Sequence, residues 1–103
     1  MLKVYKYELK ELNSQYDAIH EVGCFEIEGF WQVLTAQYQG AKPVLWVLVN
    51  NTANTKTTLR VFSTGTGNGT IPANARYVAT VQQEQTFGGV MVWHIFAEAN
   101  YHE

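Results

Sequence analysis

Hydrophobic and polar positions alternate along much of the chain, a two-residue period that predicts strands rather than helices. Over residues 3–9, Tyr5, Tyr7 and Leu9 fall on one side and Val4, Lys6 and Glu8 on the other. Residues 10–16 are polar, with Asn13-Ser14 as turn punctuation and room for one short helical turn over 11–16. Residues 18–22 read as a short strand that ends at Gly23. Residues 25–37 then alternate with a change of phase at Gly29. A glycine inside a strand pattern marks a bulge or bend. The segment is therefore one long bent strand or two strands broken at Gly29-Phe30.

Two segments are apolar on both faces, residues 44–49 (VLWVLV) and 90–96 (VMVWHIF). Their length favours doubly buried strands over helices, with Trp46 and Trp93 read as core. Between them, residues 57–63 predict a strand with Leu59 and Val61 inward and Thr58, Arg60 and Phe62 opposite. Residues 76–83 predict another, with Tyr77, Ala79 and Val81 on one face. The tail from residue 97 is polar and reads as frayed or packed on a neighbour. Turn signals stand at 39–43, 50–55, 63–74 and 83–89. The pattern predicts one all-β or β-rich domain over residues 1–103, an antiparallel β-sandwich or small barrel of six to seven strands with at most one short helix.

Composition fits a packed domain: 47% of the 103 residues are hydrophobic and 14% aromatic. Charged residues make up 16%, against about 25% in an average globular chain. So little charge leaves apolar surface to cover, and a homo-oligomer is expected. A single cysteine, Cys24, excludes an internal disulfide and a cysteine-rich zinc site. The alternating start lacks the apolar run of a secretory leader, and no stretch approaches a membrane span. The expected location is a reducing cytoplasm, with no membrane partner.

The net charge of −2 hides an asymmetry: residues 29–83 contain no Asp or Glu but carry Lys42, Lys56, Arg60 and Arg76. An anion approaching that stretch meets no local repulsion; the plainer reading is a polar surface that happens to lack acids. Within it lies a glycine-rich loop, residues 63–70 (STGTGNGT). Successive backbone N–H groups in such a loop can turn toward one anion. Arg60, Thr64, Gly65, Thr66, Gly67, Asn68 and Arg76 are the candidate ligand-binding residues, with the two arginines placed at the mouths of adjacent strands. Arginine forks suit phosphate or carboxylate. Neither a nucleotide-hydrolase loop nor a dinucleotide fingerprint is present, and a mobile hairpin connection explains the loop as well. Tyr5, Tyr7 and Phe62 are candidates for partial exposure and base stacking. Seven basic residues in an acidic chain argue against a long nucleic-acid track.

No catalytic set is legible. His20, His94 and His102 stand apart, and His94, flanked by Trp93 and Ile95, reads as a hydrogen-bonded core histidine. Glu26 and Glu28 share a strand face and read as solvated. Neither a metal nor an organic cofactor is called for.

Five pieces, taken in order, resemble a small uncharacterised family of phage and prophage-type proteins. They are Val4-Tyr5-Lys6-Tyr7, Leu45-Trp46-Val47-Leu48-Val49, Phe62-Ser63-Thr64-Gly65-Thr66-Gly67 followed by Ile71-Pro72, residues 76–82 (RYVATVQ) and residues 88–96 (GGVMVWHIF). Residues 18–34 depart from that pattern, being longer and more aromatic. The resemblance implies a phage or prophage origin and action in the host cytoplasm, and it carries no activity. The expected function is non-enzymatic: binding, and so sequestering, a small anionic, nucleotide-like immune signal to counter host defence. The alternatives are a protein–protein inhibitor or interaction module acting on a host protein, and a virion or assembly component.

Overall fold

The computed structural model describes residues 1–12, 19–67, 69–86 and 88–102. Among them are seven strands and no helix: β1 (Leu2–Glu8), β2 (His20–Glu28), β3 (Phe30–Gln39), β4 (Lys42–Asn50), β5 (Lys56–Gly65), β6 (Arg76–Glu84) and β7 (Val90–His102). They form two antiparallel sheets, a three-stranded one in the order β1-β4-β3 and a four-stranded one in the order β2-β5-β7-β6. Of the two expected forms, an antiparallel sandwich or a small barrel, the sandwich is the observed one. The helical turn expected over 11–16 falls largely outside the described residues.

The core lies between the sheets, where alternate residues of each strand meet. From the smaller sheet come Leu45, Val47 and Val49; from the larger come Val22, Ile27, Leu59, Val61, Val81, Trp93, Ile95 and Ala97. Burying side chains of this size stabilises by roughly 1.5–3 kcal/mol each before entropy is counted. Trp46 does not join them. It alternates out of phase with Leu45 and Val47, pairs across the sheet with Lys6 and Thr35, and stays half-buried on the outer face.

Gly29 decides the layering. It sits between β2, in the larger sheet, and β3, in the smaller, so the chain changes sheets there. Its φ is +73°, and an added Cβ would lie 2.0 Å from the Asn50 carbonyl oxygen. Its N–H donates to Thr55 O and its carbonyl accepts from Asn50 N. Of the two readings of residues 25–37, two strands broken at Gly29-Phe30 is the observed one.

Two boundaries and one strand face differ from expectation. Gly23 does not end a strand; β2 runs through it with a register shift between Glu21 and Gly23. A side chain there would meet the Phe25 ring at 2.6 Å, so the glycine marks close packing rather than a stop. The tail does not fray, because β7 extends to His102 and pairs with β5 as far as Lys56. Nor do Tyr77, Ala79 and Val81 share a face: a register shift between Tyr77 and Ala79 leaves Tyr77 beside Phe96, away from the core.

Candidate functional site

The glycine loop begins later than its sequence suggests. Thr64 and Gly65 are the end of β5 and pair with His94 and Trp93. Ser63 and Thr64 are buried, so neither hydroxyl is accessible to a ligand at the loop. Gly67, with φ +80° and open space around it, lies in the turn proper. Asn68 lies outside the described residues.

The two arginines do not converge on this loop. β5 and β6 are not neighbours, because β7 runs between them. Arg60 pairs in register with Glu98 and Arg76 with Ala97. Adjacent residues of one strand point to opposite faces, so the two guanidinium groups stand on opposite sides of the sheet. Both are set back along β7 from Trp93, where the loop leaves. Arg60 is also engaged: its Nε and an Nη atom donate to the two Glu21 carboxylate oxygens at 3.1 Å each. That contact raises the Arg60 pKa and holds the Glu21 carboxyl below its usual range, against a smaller desolvation effect. The guanidinium also lies 5.2 Å from the Phe62 ring centroid. Phe62 is 5% exposed, too covered for base stacking, because Arg60, Glu21 and Phe96 surround its position in the sheet.

What the outer face of the larger sheet does assemble is a polar chain. Thr66 Oγ1 lies 2.8 Å from His94 Nε2, and Thr80 Oγ1 lies 3.1 Å from His94 Nδ1. The Tyr77 hydroxyl lies 3.0 Å from Thr80 Oγ1. His94 is hydrogen-bonded, as expected, but on the side away from Trp93 and Ile95. Both its ring nitrogens are used, which fixes the ring and ties the glycine loop to β6. With each nitrogen engaged, the histidine braces β7 against the loop on one side and β6 on the other.

Tyr5 and Tyr7 sit on the inner face of β1, at the open side of the sandwich. Tyr5 is 42% exposed. The Tyr7 ring packs 4.9 Å from that of Phe25, and burial, then Tyr5, pushes its hydroxyl pKa up. Both tyrosines line a polar recess with Glu26 and Glu28, a poor neighbourhood for an anion.

Arg76 has the more favourable setting. It stands at a cleft of about 240 Å³ between the sheets, where β3 faces β6. Phe30 and Val33 of β3, Leu59 of β5, Val78 of β6, and Ala97 and Ala99 of β7 supply its apolar wall; Gln32 and Tyr77 complete it. Small side chains at 97 and 99 leave the space. Arg76 makes no ion pair among the described residues. An apolar cavity with one charged group at its edge is the ordinary form of a small-molecule site. Sequence reasoning named Arg76 but missed the cleft, because its walls come from four strands spread over residues 30–99. Among the described residues no cluster of His, Cys, Asp or Glu could hold a metal ion, and no helix is long and apolar enough to cross a membrane.

No curated protein and no solved structure matches the chain. A family model does, over residues 1–103, and the chain therefore belongs to the domain of unknown function DUF7352.

Proposed function

We propose that this protein is a non-enzymatic binder of a small organic anion, held in the cleft between β3 and β6. The observation behind this reading is the guanidinium of Arg76, without an ion-pair partner among the described residues, beside an apolar cavity of about 240 Å³. That volume lies below the roughly 300–1,000 Å³ of sites for drug-sized ligands. It suits one ring system with its phosphate or carboxylate outside, meeting Arg76 and the Gln32 amide. A mononucleotide-like ligand fits this description better than a dinucleotide does. The resemblance to phage and prophage-type proteins supplies a setting, sequestration of a nucleotide-like immune signal in the host cytoplasm. Isothermal titration with mononucleotides, cyclic nucleotides, ADP-ribose derivatives and aromatic carboxylates tests the reading. Heat with at least one anion, lost in Arg76→Leu and kept in Arg60→Ala, is expected. No heat with any of them, or equal binding by Arg76→Leu, overturns it.

A second reading, an interaction module for a host protein, is favoured by the outer face of the smaller sheet. There Leu2, Val4, Trp31 and Leu34 are 48%, 57%, 59% and 41% exposed. A stoichiometric host protein captured by the native chain and lost with Trp31→Ser would favour it over the first.

A further inference from the structure

A sheet edge carries unpaired backbone N–H and C=O groups, and proteins commonly disrupt such edges with bulges. The sandwich has four edge strands: β1 and β3 in one sheet, β2 and β6 in the other. Three of them are irregular. β3 shifts register twice, between Phe30 and Gln32 and between Val33 and Thr35. β2 shifts between Glu21 and Gly23, and β6 between Tyr77 and Ala79. β1 alone is regular, pairing Leu2 through Glu8 with Asn50 through Val44 without a break. It contains no proline or glycine, and six of its seven residues are exposed.

We propose that β1 pairs antiparallel with β1 of a second copy, making a two-fold dimer with a continuous six-stranded sheet. A two-fold axis that keeps each side chain on its own face requires paired residues of equal parity. Charge then selects the register. Centring on Lys3 or Lys6 sets two lysines directly opposite, which destabilises. Centring on Tyr7 fails for another reason: beyond Leu9 the chain turns toward the other sheet, where Lys10 N donates to Val22 O. Centring on Val4 avoids the lysine clash but pairs only Leu2 through Lys6 within the strand, whereas centring on Tyr5 pairs all seven residues. It places Lys3 of each copy opposite Tyr7 of the other, on the inner face. Tyr7 lines the same recess as Glu26 and Glu28, and Lys3 makes no ion pair among the described residues. That register sets the lysine of one copy toward the recess of the other, twice by symmetry, where Glu26 also accepts from Thr58 Oγ1 at 2.6 Å and Glu28 stands opposite Lys56. This charge match favours a second copy over an unrelated peptide as the occupant.

Sedimentation velocity across a concentration series, with Cys24 kept reduced, tests the proposal. The expected species is twice the 11.7 kDa monomer, weakened by salt. Lys3→Glu should raise the dissociation constant about fivefold or more, and adding Glu26→Lys and Glu28→Lys should restore it. Proline scanning supplies the backbone test. Successive residues send their N–H alternately to β4 and to the free edge. One of Val4→Pro and Tyr5→Pro should therefore keep the monomer's circular dichroism while abolishing the dimer. A chain that stays monomeric into the millimolar range overturns the proposal. So does a dimer indifferent to Lys3→Glu and to whichever proline variant folds.

Discussion

At the scale of single residues, position in the ladder matters more than residue type. Gly29 is the clearest case. Its positive φ is costly for an L side chain, and the Asn50 carbonyl already occupies the place of a Cβ. Gly29→Ala should cost more than about 2 kcal/mol, read as a lowered urea midpoint with an unchanged slope. Gly40 also has a positive φ but opens onto free space, so its substitution carries the backbone cost without the clash. Glu21 offers a charge test. Its folded-state pKa is lowered, chiefly by the hydrogen bonds from Arg60. The resulting stabilisation is present above the ordinary carboxyl value of 4.5 and is lost as pH falls through the lower folded value. NMR titration should place the Glu21 midpoint below 4.5, and Arg60→Ala should move it up. The pair is well exposed, with side chains 43% and 37% accessible, so its effect on the melting temperature is small.

At the scale of elements, β4 shows how much an apolar run leaves open. Every residue from 44 to 49 is hydrophobic, yet the two faces of the strand differ. Leu45 is fully buried between the sheets, while Leu48 faces outward and is half-buried. Leu45→Ala should cost about 2–5 kcal/mol by removing methyl groups and leaving a cavity. Leu48→Ala should cost about 1 kcal/mol, and denaturant titration of the two variants separates the faces. The two bulges of β3 work on the same outer face: they leave Trp31 and Leu34 accessible opposite Leu48 and Trp46. The strands and most turns were legible in the sequence because a two-residue period is a local signal. The extension of β5 into Thr64-Gly65 and of β7 to His102 was not. Both extensions depend on partner strands that lie about thirty to forty-five residues away in the sequence, as the register of β5 with β7 shows.

At the scale of the whole molecule, the layering separates groups that the sequence listed together. Arg60, Arg76 and the glycine loop belong to one acid-free stretch. The sheet order nevertheless puts β7 between the arginines and turns them to opposite faces. Arg60 is matched by Glu21, an acid from outside that stretch, which no local charge count anticipates. If an anion occupies the cleft, it stabilises the fold through binding, by about 2.7 kcal/mol at a hundred times its dissociation constant. A thermal-shift screen should show that rise with the bound anion in the native chain and none in Arg76→Leu.

The sequence by itself determined the strand periodicity, the number of strands to within one, the antiparallel all-β class and the scarcity of charge; the choice of sandwich over barrel came with the two sheets. Each of these follows from local alternation or from simple counting. Only the tertiary structure decided which sheet each strand joined, which face each arginine took, that Phe62 was covered and that a cleft opened beside Arg76. Side-chain direction within a strand is fixed by parity, but the neighbour on that face is fixed by register and strand order. Those are set by packing across the whole chain, and a single bulge, as at Tyr77 and Ala79, reassigns every face beyond it.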